Sequence, residues 1–135
     1  MSFSDDGSSF IVEVEEGNER IIKGTAIALY GDMIRSSPVK LGMFRANWFL
    51  SGKNPSTKET EDTDKLGQRT INEVTNQILS SRQFDVFTLT NNLPYSEKIE
   101  MGSSKFAPQG VVRVNVLRFD SLLEEQARKE GYGRI

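Results

Sequence analysis

Apolar positions along this chain change period several times, and each change marks an element. From Asn18 to Arg35 the spacing is helical: Ile22, Ala26, Leu29 and Met33 fall at i, i+4, i+7 and i+11 and form one stripe. Ile21, Thr25 and Ala28 widen it toward a core-facing helix. Gly24 and Gly31 each weaken that helix by about 1 kcal/mol relative to alanine. Ser36-Ser37-Pro38 ends it, because a residue ahead of proline resists the α region. Residues 44–50 predict a strand with Phe44, Trp48 and Leu50 on one face. Phe49 breaks the alternation and so points to cover on both sides or to an interface.

Gly52, Pro55 and a run of polar residues make 51–64 a mobile loop. A second helix is predicted over 65–80, with Ile71, Val74 and Ile78 on its buried side and Leu66 joining them. Residues 85–90 predict a strand in which Val86, Thr88 and Thr90 alternate with Phe87 and Leu89. Asn91-Asn92 turns the chain, and Pro94 opens a short helix to Glu100, where its missing N–H costs nothing. Tyr95 and Ile99 share a face of that helix, and Gly102 is suited to end it. The last segment reads two ways. Val112, Val114 and Val116 alternate like a strand, while Val112, Val116, Phe119, Leu123 and Ala127 form a helical stripe whose length favours a helix over most of it.

These elements predict an α+β domain: a small antiparallel or mixed sheet packed by two long helices and a short one. Its boundaries fall at 20–130, after an acidic N-terminal arm over 1–19 and before a flexible C-terminus over 131–135. The arm contains one β-like run, Phe10-Ile11-Val12-Glu13-Val14, readable as an edge strand or as part of the arm. A chain of 135 residues suits one domain and buries enough surface to need no disulfide or metal staple.

Composition narrows the chemistry. With no cysteine and no histidine, the chain lacks disulfides, thiolate nucleophiles, the ordinary zinc ligands and any Ser-His-Asp or Cys-His catalytic set. No basic stretch leads into an apolar one at the N-terminus, and no apolar run reaches the ~18–20 residues of a membrane helix. Asn54-Pro55-Ser56 has proline in the position that blocks glycosylation. An intracellular, membrane-free protein is the expectation. Acid pairs at Asp62/Asp64, Glu97/Glu100 and Glu124/Glu125 lack any supporting fingerprint for catalysis or metal binding. Lys23-Gly24-Thr25 resembles the end of a phosphate loop, but Ile22 stands where glycine is required. No catalytic residue, cofactor or metal site is assigned.

The net charge of -2 hides an asymmetry. Residues 1–19 hold Asp5, Asp6, Glu13, Glu15, Glu16 and Glu19 without a base, whereas 33–58 hold Arg35, Lys40, Arg45, Lys53 and Lys58 without an acid. Those five cations are candidates for a subunit interface or for lining a DNA passage; the acidic arm of a neighbouring subunit is the competing partner for them.

Two segments carry more information than charge or periodicity. One is Ser37-Pro38-Val39-Lys40-Leu41-Gly42-Met43-Phe44-Arg45-Ala46-Asn47-Trp48. The other runs Thr90-Asn91-Asn92-Leu93-Pro94-Tyr95-Ser96-Glu97-Lys98-Ile99-Glu100-Met101-Gly102 and continues through Lys105-Phe106-Ala107-Pro108-Gln109-Gly110. Together they resemble the HK97 gp10-like family of tailed-phage head–tail joining, neck or tail-completion proteins, over roughly residues 21–129. Members commonly have Asp-Thr where this chain has Lys40-Leu41. The resemblance implies a non-enzymatic virion subunit, present in the host cytoplasm during assembly. It would form a homo-oligomeric ring between the connector or head-closure protein and the tail tube or terminator protein, with non-specific contact to passing DNA. It marks Pro38, Gly42, Trp48, Asn91, Pro94, Tyr95, Glu100, Gly102, Pro108 and Gly110 as structural positions. From the residues themselves, Pro38 and Gly42 bracket a turn, Trp48 is a core or contact residue, and Arg45 is a candidate bridge to Glu100. The competing function is a nucleic-acid-binding accessory protein that uses 33–58, with Phe44, Trp48 and Phe49 as stacking groups.

Overall fold

The computed structural model describes residues 2–3, 9–13, 19–39, 42–81, 86–102, 104, 107 and 109–131. Its elements run β1 (Ser2–Phe3), β2 (Ser9–Glu13), α1 (Glu19–Ser36), α2 (Met43–Ala46), β3 (Trp48–Ser51), α3 (Gln68–Ser80), β4 (Val86–Asn91), α4 (Ser96–Glu100), α5 (Val112–Val116) and α6 (Phe119–Lys129). The fold is α+β, and the sheet is antiparallel with strand order β1-β2-β4-β3. No helix among the described residues is long and apolar enough to cross a membrane.

α1 organises the molecule. Ile22, Ala26, Leu29 and Met33 are buried as the stripe predicts, and Ile21, Thr25, Tyr30 and Ile34 are buried with them. The helix is therefore covered on several sides, by the sheet, α3 and α6. The Tyr30 hydroxyl donates to the carbonyl of Phe87 at 2.7 Å, which ties α1 to the central strand β4. At its C-terminus the Ser37 hydroxyl donates to Met33 O at 2.7 Å, satisfying one of the carbonyls that a helix end leaves open. Gly31 sits mid-helix, and a Cβ there would meet only the outer Arg35 guanidinium at 3.1 Å. That group is exposed and flexible, so Gly31→Ala is expected to stabilise the chain by about 0.5–1 kcal/mol through the unfolded-state entropy it removes. Thermal or urea unfolding would show it.

β4 is the buried strand: Phe87, Leu89, Thr88, Thr90 and Asn91 are all inaccessible. It has β2 on one side and β3 on the other, so of the two readings of the β-like run in the arm, edge strand or irregular arm, Ser9–Glu13 takes the strand. The strand expected over 44–50 is also shorter than the pattern implied. Phe44 lies in the helical turn α2, and only Trp48–Ser51 is extended. Residues 44 and 48 share a face under either period, two strand repeats or one helical turn, so the spacing alone did not separate the two. Asn47 settles it, because its side-chain amide donates to Met43 O at 2.8 Å while its backbone N–H donates to Phe44 O.

α3 begins at Gln68, three residues later than predicted. Gly67 takes φ 76, and the Asp64 carboxylate accepts from both the N–H and the hydroxyl of Thr70 at 2.8 Å. That reversal turns Leu66 outward to 80% exposure, against the expectation that it would join Ile71, Val74 and Ile78 in the core. Residues 112–116 are helical, with Val111 at the N-cap: α5 and α6 follow each other with a break at Leu117-Arg118, and Leu122 replaces Leu123 as the more buried of the pair. α4 starts at Ser96, so Pro94 lies in the turn ahead of it.

Candidate functional site

The two segments that carry the resemblance touch at one corner, where α2 and β3 meet the end of β4 and Tyr95, just ahead of α4. Gly42 opens it with φ 79, and its carbonyl accepts from Asp64 N at 2.9 Å. A Cβ at Gly42 would lie 2.7 Å from Lys65 N, so this crossing of two backbones requires glycine. Pro38 is half-buried beside it.

Arg45 reaches back across this crossing. Its guanidinium donates to Ser37 O at 2.9 Å, Lys65 O at 2.8 Å and Arg35 O at 2.6 Å. Three carbonyls at the end of α1 and the start of the α3 turn are thereby held by one planar fork, a geometry suited to arginine and not to lysine. Burial lowers the Arg45 pKa and Asp64 opposes that shift, yet a guanidinium stays charged at any ordinary pH. The expected bridge from Arg45 to Glu100 does not form; the guanidinium is engaged by these three carbonyls instead. Arg45→Lys is expected to cost about 2–3 kcal/mol in urea unfolding, because one ammonium cannot span the three acceptors.

Glu100 has a different partner. It is 3% exposed. Its carboxylate accepts from the backbone N–H of Val111, Val112 and Arg113 at 2.8, 2.7 and 2.8 Å, and from Arg113 Nε at 3.2 Å. Arg113 also donates to the Glu100 carbonyl. The acid thus caps the first turn of α5, where open N–H groups and the helix dipole favour a negative charge. Gly110 has φ 84, and a Cβ there would fall 2.5 Å from Glu100 O. Gly102, with φ 97, closes α4 through its N–H to Ile99 O.

Trp48 and Asn91 complete the corner. The indole N–H donates to the Ser37 hydroxyl at 2.9 Å, and the ring meets Phe44 edge-on at 5.7 Å. Asn91 pairs with Trp48 in the β3–β4 register and donates to Phe44 O at 2.9 Å. Tyr95 stacks at a tilt on Phe44 and is partly exposed; burial raises its phenol pKa. Pro94 is exposed, and Lys40 and Pro108 lie outside the described residues.

The remaining cations are scattered in role. Arg35 pairs with Asp32 at 2.9 Å, while Lys53 and Lys58 are exposed on the 51–64 loop. That loop is irregular as expected, but polar side chains fasten it. Asn47 exchanges two hydrogen bonds with Thr60 at 2.9 Å, and Asn92 donates to Ser56 O and Lys58 O. Ser37, Asn47, Asp64 and Arg113 each hold several of these hydrogen bonds, and the sequence reading assigned none of them such a partner, giving Ser37 only a place in the stop of α1. The one local signal was Asp64 ahead of a helix, an ordinary N-terminal cap residue. Among the described residues, every buried side-chain nitrogen and oxygen has a hydrogen-bond partner. No protein-family model, curated protein or solved structure matches this chain.

Proposed function

We propose that the chain is a structural morphogenesis subunit of a tailed-phage virion. Copies of it form a ring at the neck or tail end, where they join or complete the head–tail junction. The observation that carries this reading is the convergence of the two resembling segments on one corner. Trp48 of one segment pairs with Asn91 of the other, Asn91 donates to Phe44 O and Tyr95 stacks on Phe44, while Gly42 fixes the entry to α2 and Glu100, Gly102 and Gly110 fix the α4–α5 connection that follows. Residues that resemble a family's pattern and also cooperate in space are better support than the same residues scattered. Their work is shape, which is what a subunit needs to present the same surfaces in every copy.

The partners in this reading are further copies, the connector or head-closure protein, and the tail tube or terminator protein; passing DNA is touched without sequence preference. The competing nucleic-acid role loses Arg45 to the corner and has Arg35 paired with Asp32. Immunogold electron microscopy of phage particles, with antibody against this chain, is expected to label the neck or tail end. Unlabelled particles, together with steeply salt-dependent binding of the purified chain to DNA, would replace this reading with the nucleic-acid one.

A further inference from the structure

The sheet has a polar face, and the chain itself covers it. Trp48, Leu50, Phe87 and Leu89 join the core cluster, so the residues that alternate with them, Phe49, Ser51, Thr88 and Thr90, face the other way. Thr88 and Thr90 are nevertheless buried. The segment leaving β3 lies on this side: the Thr88 hydroxyl donates to Gly52 O at 2.7 Å. From there the segment runs back past the strand, until Thr60 reaches Asn47, the residue ahead of Trp48.

Residues 52–63 contain no Val, Leu, Ile, Met or aromatic residue. Among the described residues they make no backbone–backbone hydrogen bond to the rest of the chain. Side chains hold them instead, at every fourth position. Beyond the Thr88 contact at Gly52, the Asn92 amide donates to Ser56 O at 2.6 Å, and the Asn47 amide donates to and accepts from the Thr60 backbone at 2.9 Å. Gly52, Ser56 and Thr60 are partly buried, while the residues between them are exposed. Toward α3 the segment is not packed down. A depression of about 310 Å³ remains there, between Lys58, Glu59 and Asp62 on one side and Arg69 and Glu73 on the other.

We infer that residues 52–63 are a latch: closed, they cover the Thr88–Thr90 face, and they open as one unit while α1, the sheet and the corner stay folded. What opening exchanges is the reason. The carbonyls and amides it frees, and the threonines it uncovers, are groups that water serves nearly as well, and no apolar side chain of the latch leaves the core. Opening a core element would instead wet residues such as Phe87, Leu89 or Ile78. Both ends are anchored, Ser51 by pairing with Thr88, and Asp64 by its N–H to Gly42 O and its carboxylate to Thr70. The latch therefore swings between fixed points and leaves its neighbours in place. It is independent of the ring reading; within a ring, it is the part of each subunit that changes surface without disturbing the corner.

Trypsin acting on the native protein tests this, because cleavage follows the population of the open form when opening is fast. Lys53 and Lys58 lie in the latch, whereas Lys23 and Arg69 lie in α1 and α3. Mass spectrometry is expected to show the latch cut first, at a rate nearly flat in urea below the unfolding midpoint, since opening uncovers little surface. Cleavage after Lys23 and Arg69 should climb with urea as global unfolding does. The nicked chain should keep the circular dichroism of the intact one. Asn92→Ala removes the donor to Ser56 and Lys58, and it should raise latch cleavage about five- to tenfold with the unfolding midpoint unchanged. Thr88→Val keeps the volume beneath Gly52 and should raise it about two- to fivefold. Cleavage at Lys58 and Arg69 rising together in urea would mean that the strap opens only with the core, and would overturn the latch. So would a latch rate that both substitutions leave unchanged, or an Asn92→Ala protein whose unfolding midpoint falls with no selective gain at Lys58.

Discussion

Glu100→Ala is expected to destabilise the chain by about 3–5 kcal/mol, the range for breaking a buried charge-assisted set by removing one partner. The carboxylate is buried and accepts from three consecutive backbone N–H groups at the start of α5. Alanine leaves those donors facing a void, and an unsatisfied buried donor costs roughly 1–3 kcal/mol on its own. Arg113 loses its ion pair at the same time, though with half its side chain exposed it is rehydrated cheaply. Glu100→Gln separates the two contributions. The amide keeps the volume and one accepting oxygen, so Val111 and Val112 remain served, while its NH₂ group opposes Arg113; about half the loss is expected. Gly110→Ala should approach the alanine result from the other side, because its Cβ would overlap both the carbonyl and the carboxylate of Glu100 at φ 84. Urea unfolding of the three variants measures this, and a Glu100→Ala loss under about 1 kcal/mol would mean the cap is unimportant.

The parts of the fold that were legible are those set by local period. The α1 stripe persists over three turns, and Ile71, Val74 and Ile78 repeat it in α3, so both helices follow from spacing. β2 was legible only as one of two readings, edge strand or arm, because its partner β4 lies nearly eighty residues away in register, Phe10 against Leu89. An acidic stretch reads as a solvated arm unless that distant edge is known.

The corner failed differently. Arg45 and Glu100 were matched to each other as opposite charges, the pairing a sequence suggests most readily. In the fold each answers to backbone instead, Arg45 to carbonyls left open where α1 ends and Glu100 to amides left open where α5 begins. Open backbone groups exist only once helix ends are placed, and residue identities alone do not place them. The glycines were the better signal. Gly42 and Gly110 mark the points where a second chain segment comes within contact of backbone that has no room for a Cβ.

Trp48→Ala is expected to cost about 3–5 kcal/mol, the usual loss for a large buried aromatic that leaves an unfilled cavity. Trp48 is 3% exposed, lies on the core face of β3 and packs edge-on against Phe44, a contact that adds to its burial. Its N–H is satisfied by the Ser37 hydroxyl, which itself holds Met33 O. The ring and the end of α1 are therefore one unit. Ser37→Ala should cost about 1–3 kcal/mol, because it leaves a buried indole N–H without an acceptor. In Trp48→Phe, where that donor is gone, the same serine substitution should cost less. A double-mutant cycle between the two sites is thus expected to show coupling of about 1 kcal/mol, and strict additivity would mean that the hydrogen bond contributes nothing. As the chain's single tryptophan, Trp48 also reports on its own environment. Native emission should be blue-shifted and move to the red on unfolding at the same denaturant concentration as the loss of helix. An emission maximum already at the solvent-exposed position in native protein, with Trp48→Ala costing under about 1 kcal/mol, would place the ring outside the core and remove the anchor from the corner.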